Sequence, residues 1–480
     1  MKILNVREGF ACNSSSTHSI IFAKDRLYDS EIGDDEFGWG SFVAASEDAK
    51  RRWLSASLRG NFRDTGIDEA TVRLIVEQLT GVWSDGYVDH QSEICFPRAW
   101  TGHGIDLDFV KDFRDYLLNP KVAILGGNDN DDESEAPPGE RVFYRSILPV
   151  DGDYHHVARK DSSGYWSLFN RTQGDRVRVS FGDTPMAIDA KKADAPELVD
   201  LKITDFCTYD CPTCYQGSTR KGTHGDRWTI SSVLEALGAA RVFEVAIGGG
   251  EPTLHPDFAE ILSTAHRCGV TPNFTTRDSK WFLRYMDVVE HVGAVAVSCD
   301  NRSDAEHALR AIETLPGRDR ETLKGKLVIQ HILGIKDTWE VESLFHFCRE
   351  NELPIVLLGY KTSHRGANGV PKVPAKGISW GEWLAKLPDE TKPYRLGVDT
   401  VLASEFKGLV PDHRLTTREG QFSCYIDASG GRDSLKMLPS SFSTAEPVPF
   451  KADGLVAAWQ KISAYEPTSA YVYKRQLPMR

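Results

Sequence analysis

Between Leu198 and Lys361 the chain alternates between two hydrophobic periods. Short runs rich in Val, Ile and Leu have the length and β-branched content of buried strands. The first is Leu198, Val199, Leu201 and Ile203, the second is Phe243 to Ile247, and four more follow at 270–276, 294–300, 327–333 and 354–361. Between them apolar residues recur at spacings of three and four, as on one face of a helix. Phe258, Ile261, Leu262, Ala265 and Cys268 form one stripe, Ala305, Ala308, Leu309 and Ile312 another, and Val341, Leu344, Phe345 and Cys348 a third; 281–292 reads as a helix too. Pro256 stands where a helix accepts its first residue and Gly269 where one stops. Strand and helix therefore alternate six times, the pattern of parallel βαβ units, and the expected fold class is α/β.

Alternation within the fourth run puts Ser298 and Asp300 on one face and Val297 and Cys299 on the other. In parallel α/β folds ligands gather at the carboxyl ends of strands, where Cys207, Gly249, Thr276, Ser298, Gln330 and Lys361 all fall.

The flanks follow other patterns. Before residue 195, helical spacing marks 54–58, 70–79 and 106–118, and a meander of strands runs through 156–160, 165–171 and 176–181, which predicts an α+β accessory domain over 1–195. Asn13 to Ser19 reads as turn-forming polar residues, and Gly126 to Glu135 as a solvated acidic loop without the spacing of a calcium loop. After the alternating core (196–365), the Gly-, Pro- and Lys-rich stretch 366–377 reads as a linker. A short helix at 380–387, an extended stretch at 395–403, a hairpin at 421–442 and a last helix at 455–462 complete a C-terminal extension, 366–480.

Composition narrows the class. The chain has 480 residues, enough for two or three domains, and its 40% hydrophobic and 26% charged content is that of a globular protein. Its net charge of −12 leaves no basic footprint for sequence-independent nucleic-acid binding. No run approaches the ~20 apolar residues of a membrane-spanning helix, and the first residues lack the apolar core of a signal peptide. Nine cysteines, an odd number, fit a reducing cytoplasm better than a disulfide framework.

The chemistry concentrates just past the first strand. Cys207, Cys211 and Cys214 lie on one loop at spacings of four and three, so three soft thiolates can converge on zinc or on an iron–sulfur cluster. No Cys or His follows until His224, and Cys268 sits on a core stripe. A closed zinc site has four protein ligands; three suggest an open metal position.

This spacing resembles the cluster motif of the radical SAM superfamily, in which three cysteines hold a 4Fe-4S cluster and S-adenosylmethionine (SAM) chelates the fourth iron. Downstream, the second strand runs into Gly248-Gly249-Gly250-Glu251-Pro252, similar to the family's Gly-Gly-Glu-Pro element, whose backbone contacts the amino group of SAM. The resemblance covers about 165 residues and implies a partial (β/α)6 barrel. It assigns the cluster to Cys207, Cys211 and Cys214 and SAM contacts to Gly249, Gly250, Glu251, Thr276, Ser298 and Gln330. The residue before the third cysteine is often aromatic in the family and packs near the adenine; here that position is Thr213, and Tyr215, which follows the cysteine, is the candidate substitute, so both are counted as SAM-contact candidates.

The resemblance also implies an external one-electron reductant of the flavodoxin or ferredoxin type. The expected substrate is a peptide or protein, held by 1–195 and modified by epimerisation or cross-linking. Rearrangement or oxidation of a small metabolite or nucleoside is the alternative, and a non-enzymatic zinc or electron-transfer protein the alternative of another class. Only Cys424 falls in the C-terminal region, which argues against auxiliary clusters and leaves that thiol as a candidate hydrogen donor.

Overall fold

The computed structural model describes residues 42–126 except 64, 90–93, 101–103 and 121; 156–181; 192–463 except 376, 407–408, 410–418 and 432–433; and, outside these, 2–7, 19–22, 29, 36–38 and 142–145. Most of the polar cluster 13–19 and of the acidic loop 126–135 lies outside the described residues. The chain forms two compact units, Met1–Ala190 and Lys191–Arg480.

In the first unit, β1 (Lys2–Arg7), β2 (Ser19–Phe22), β3 (Glu36–Phe37) and β4 (Phe42–Ala44) precede α1 (Glu47–Asn61) and α2 (Glu69–Thr80). Then come β5 (Tyr87–Val88), α3 (Leu107–Leu117), β6 (Val122–Gly126), β7 (Val142–Arg145), β8 (His156–Lys160), β9 (Trp166–Asn170) and β10 (Arg176–Ser180). The meander β8-β9-β10 is antiparallel and takes β1 as a fourth strand; β4-β6-β2-β7 form a second sheet. Phe109 and Phe113, one turn apart on α3, meet the Phe181 ring at 5.3 and 5.9 Å, and Trp166 stands edge-on to Phe109 at 5.2 Å. Offset aromatic contacts of this kind add to the burial energy of a core.

The second unit carries the predicted alternation. It runs β11 (Leu198–Thr204), α4 (Arg227–Ala239), β12 (Glu244–Gly249), α5 (Phe258–Arg267), β13 (Thr271–Thr276), α6 (Phe282–Tyr285), β14 (Val295–Ser298), α7 (Arg302–Glu313), α8 (Gly317–Lys326), β15 (Leu327–Ile332), α9 (Thr338–Glu350) and β16 (Ile355–Leu358). After β16 come α10 (Trp380–Lys386), β17 (Leu396–Val398), α11 (Thr400–Ala403), β18 (Ser423–Asp427), β19 (Leu435–Leu438), β20 (Val448–Phe450) and α12 (Leu455–Ser463). The strands form one sheet in the order β17-β16-β15-β14-β13-β12-β11-β18-β19-β20, parallel from β17 to β18. The unit is thus an α/β partial barrel, with two parallel strands more than the six expected, because β17 and β18 come from the C-terminal region.

Side-chain alternation sorts the barrel into two faces. Val199, Leu201 and Ile203 of β11, Val245 and Ile247 of β12, and Val295 and Val297 of β14 are all buried against the helical layer. Asp200 and Lys202 point to the other face, the lumen. A one-residue slip would drive both charges among helices and expose aliphatic side chains worth roughly 1.5–3 kcal/mol each.

Three local expectations are corrected. Pro256 precedes the helix, which starts at Phe258 after a short 3-10 turn at Pro252–Leu254. The helix expected over 281–292 is α6 followed by a 3-10 stretch, Met286–His291. The supposed linker at 366–377 is packed on the barrel: Lys372 N donates to Gly334 O at 2.8 Å and Trp380 Nε1 to Lys372 O at 3.1 Å.

Candidate functional site

The loop after β11 is shaped by its own backbone before any ligand is considered. Cys207 N donates to Thr219 O (3.0 Å), Thr219 N to Asp205 O (3.2 Å) and Cys214 N to Cys211 O (3.2 Å). Asp210 takes a left-handed conformation (φ 53°), which its short polar side chain tolerates, and this turns the chain between Cys207 and Cys211. Arg365, absent from the sequence expectations, braces the loop from outside. Its Nε donates to Cys211 O at 2.9 Å, and its two terminal nitrogens donate to Ser218 O at 3.0 Å. Ser363 Oγ donates to Tyr215 O at 3.1 Å.

The end of β12 is zipped to the same loop. Gly250 N donates to Thr204 O (2.7 Å) and Glu251 N to Phe206 O (2.9 Å). A Cβ on Gly249 would lie 2.2 Å from Thr204 O, and one on Gly250 would lie 2.1 Å from Phe206 O; Gly249 also has φ +129°. A Cβ on Gly248 would meet nothing within 4 Å. Two of the three glycines therefore serve the approach of backbone to backbone, while Gly248, paired with Lys202 in the β11–β12 ladder, has open space where a side chain would stand.

Glu251 is 3% exposed and accepts four hydrogen bonds: from Thr253 N (3.3 Å), Thr253 Oγ1 (2.8 Å), Thr276 Oγ1 (2.7 Å) and Arg277 N (3.0 Å). It joins the ends of β12 and β13. Burial raises its carboxyl above the ordinary value, opposed by these hydrogen bonds. Thr276 reaches the site through Glu251. Ser298 and Gln330 are register partners on β14 and β15, with Ser298 Oγ 3.3 Å from Gln330 Oε1.

Beside the loop lies a cavity of about 380 Å³, within the range of small-molecule sites. Cys211 and Thr213 line it together with Arg277, Asp300, Lys336 and Tyr360, which stand beyond the carboxyl ends of β13, β14, β15 and β16. Arg277 Nη2 is 2.5 Å from Asp300 Oδ1. These four were not predicted as contacts; position just past a strand end was the available signal. Tyr215, by contrast, faces Lys361, whose Nζ sits 4.5 Å from the Tyr215 ring centroid.

Cys424 is brought to neither place. It is 2% exposed and pairs with Val199, so its side chain shares the helix-packed face, and burial pushes its thiol well up.

The donor set fits a cluster on chemical grounds. Burial raises the thiols of Cys207 and Cys211; Cys207 is raised further by the charges of Glu251, Cys211 and Cys214, and Cys211 by Cys214 and Asp300, while Arg277 and Arg365 pull Cys211 down. Half-buried thiols near enough to oppose one another's ionisation are those a bound cationic centre would stabilise as thiolates. Among the described residues no three His, Cys, Asp or Glu side chains are gathered about one ready-made position for a metal ion. No described helix is long and apolar enough to cross a membrane.

Residues 201–348 match the family model of the radical SAM superfamily. The chain is 31% identical over 153 residues to mycofactocin maturase MftC of Mycobacterium tuberculosis, covering 28% of this chain and 38% of that protein. It is 29% identical over 104 residues to the PqqA peptide cyclase of Ruegeria pomeroyi (21% and 27% covered). To the GTP 3',8-cyclase of Actinobacillus pleuropneumoniae it is 26% identical over 147 residues (29% and 40%). The chain thus spans less than half the length of these relatives. Among solved structures, Streptococcus suis SuiB bound to S-adenosylmethionine superposes with a TM-score of 0.48 at 11% identity, covering 66% of this chain and 91% of that one.

Proposed function

The chain belongs to the radical SAM superfamily through residues 201–348, and from that premise we propose that it cleaves SAM reductively and removes a hydrogen from a peptide or protein substrate. The observation that carries the reading is the three-thiol loop opening on a cavity at the carboxyl ends of parallel strands, with Cys211 in the wall. When bound, the 4Fe-4S cluster and SAM supply a one-electron cleavage whose radical product takes a hydrogen from an unactivated carbon.

The chain's own residues bind, orient and exclude water. Cys207, Cys211 and Cys214 would hold the three protein-ligated irons. Gly249, Gly250 and Glu251 fix the strand end against the loop, and the open space beside Gly248 would leave room for the amino group of SAM. Thr213, in the cavity wall, would face the adenine; Ser298 and Gln330, hydrogen-bonded to each other, would reach the ribose. The Arg277–Asp300 pair and Lys336 would orient the polar end of SAM.

A peptide substrate is favoured because two curated relatives are named as a maturase and a peptide cyclase. In this reading the first unit recognises the peptide, a flavodoxin- or ferredoxin-type partner supplies the electron, and the protein works in the reducing cytoplasm. A small-molecule substrate is the second reading, favoured by the similarity to GTP 3',8-cyclase over 147 residues. The test is anaerobic reconstitution of the full chain, with iron and sulfide counted and the reduced form examined by electron paramagnetic resonance. Four irons and four sulfides in the wild type, lost in Cys207→Ala, Cys211→Ala and Cys214→Ala, are expected; a stoichiometric zinc with no sulfide would overturn the proposal.

A further inference from the structure

Arg365 stands on a short 3-10 turn, His364–Asn368, beyond the end of β16. Its side chain reaches the loop after β11, where every donating nitrogen ends on a main-chain carbonyl: Nε on Cys211 at 2.9 Å, Nη1 and Nη2 on Ser218 at 3.0 Å each. The guanidinium thus ties together the two sides of the segment that contains Cys214. The turn behind it is seated closely on the same segment. A Cβ on Gly366 would collide with Lys361 O and lie 3.4 Å from Thr213 O, and one on Gly217 would lie 2.8 Å from His364 Nδ1. Ser363 adds its hydroxyl to Tyr215 O. Contacts therefore fall on Thr213, Tyr215, Gly217 and Ser218, on both flanks of the third cysteine.

The charge that arrives with these hydrogen bonds is not cancelled. Among the described residues no carboxylate stands within ion-pair reach of Arg365; its partners are carbonyl oxygens, whose dipoles orient on a full charge without neutralising it. Two other arginines stand near this loop and differ from it. Arg277, in the cavity wall with Cys211, is paired with Asp300 at 2.5 Å. Arg220 donates Nη2 to Thr208 O at 3.0 Å but is exposed, so water and salt screen it. Arg365 is half-buried, where a charge acts through protein with less screening. Of these three arginines it is the one that brings an unpaired and partly desolvated cation to the cysteine loop. The potential of a thiolate-held iron–sulfur cluster depends on net charge, hydrogen bonding and exposure around it.

We propose that Arg365 is a positioning residue with a second, electrostatic role: it holds the stretch from Cys211 to Ser218, and its charge raises the reduction potential of the cluster bound by the three cysteines. The proposal rests on the reading of this loop as a 4Fe-4S site and specifies which side chain eases its reduction. The step concerned is the gain of one electron from an external low-potential donor, with no bond formed or broken. The reduced state carries one more negative charge, so a neighbouring guanidinium stabilises it more than the oxidised state. The two roles separate by chemistry, because the hydrogen bonds govern how much cluster is held and the charge governs how readily the held cluster is reduced.

The test is a redox titration of the reconstituted full chain at low salt with viologen-type mediator dyes, reading the reduced cluster by electron paramagnetic resonance per four irons bound. Partial loading then drops out of the result. Arg365→Gln removes the charge, and at a fixed ambient potential its ratio of reduced to oxidised cluster should fall about tenfold, ~59 mV for one electron. Arg365→Lys keeps the charge but not the fork, so it should hold less cluster and yet stay closer to the wild-type midpoint than to that of Arg365→Gln. Arg220→Gln, whose charge faces water, should shift the ratio less than Arg365→Gln. Should Arg365→Gln hold no cluster, His364→Asp decides, read against His364→Asn. It leaves every hydrogen bond of Arg365 in place, at a left-handed position (φ 46°) that Asp accepts, and should lower the ratio by about threefold. A wild-type midpoint in Arg365→Gln, equal shifts in Arg365→Lys and Arg365→Gln, a larger shift in Arg220→Gln, or identical midpoints in His364→Asp and His364→Asn would overturn the proposal and leave the 4Fe-4S reading standing. Zinc without sulfide in the wild type would refute both.

Discussion

The three consecutive glycines at the end of β12 make a sharp prediction, because each faces a different environment. Alanine at 250 would put Cβ 2.1 Å from Phe206 O and 2.7 Å from Phe206 C, both well inside normal contact, and both are backbone atoms that cannot swing away. Overpacking of this kind costs about 1–3 kcal/mol. At 249 the overlap with Thr204 O, at 2.2 Å, is joined by φ +129°, which adds about 1–3 kcal/mol of backbone strain. Against a typical stability of about 5–15 kcal/mol, Gly249→Ala should remove a third or more and detach the strand end from the cluster loop. Gly248→Ala meets nothing and should leave folding and iron content unchanged while weakening SAM binding. Urea melts of the three variants, with iron and sulfide counts and SAM titration, check this. A Gly248→Ala variant that melts early, or a Gly250→Ala variant with wild-type stability and cluster content, would refute the close-approach argument.

Much of this was legible in the chain because the barrel strands carry one uniform signal, an aliphatic face that must meet helices. β17 lies in the stretch read as extended at 395–403, but three residues with no alternation gave no sign that it joins the parallel sheet. β18 pairs with β19 as the expected hairpin, but its other edge, parallel to β11, was not read, because Cys424, Tyr425 and Ile426 are all buried and carry no alternation to mark an interior barrel strand. α8 was missed since only Leu323 of its ten residues is buried, leaving no stripe. In the site, the thiols and the glycine run announced themselves by spacing. Arg365 did not, since its work is on carbonyls 147 and 154 positions away, and it stands at the end of the alternating core, next to a stretch whose composition reads as a linker. Nor could spacing tell which glycine has open space beside it and which faces backbone.

Other outcomes follow from named contacts. Arg365→Met removes three charge-assisted hydrogen bonds to loop carbonyls, each worth about 1.5–3 kcal/mol at most; it should cost up to several kcal/mol in a urea melt and lower cluster occupancy, read as iron per chain. Glu251→Gln turns an acceptor into a donor facing Arg277 N or the Thr276 hydroxyl and should cost about 2–3 kcal/mol in a urea melt. Burial first, then the charge of Asp200, pushes Glu419 up from 4.5 to about 7, so the native state holds that proton longer than the unfolded chain and stability falls as pH rises through this window. Glu419→Gln should therefore match the wild type near pH 4 and exceed it by up to about 3 kcal/mol at pH 8; equal differences at both pH values would refute the assignment. Cys424→Ala should cost about 1 kcal/mol of packing and leave product formation unchanged; loss of product with an intact fold would make that thiol a hydrogen donor despite its place on the helix-packed face.

The central claim is that the loop of Cys207, Cys211 and Cys214 supports reductive cleavage of SAM, and its most direct test is quantitation of 5′-deoxyadenosine after anaerobic reconstitution and reduction of the full chain with SAM. The account predicts 5′-deoxyadenosine from the wild type and none above background from Cys211→Ala. Equal yields from both, or none from a wild type carrying an intact four-iron cluster in the presence of peptide, would contradict it.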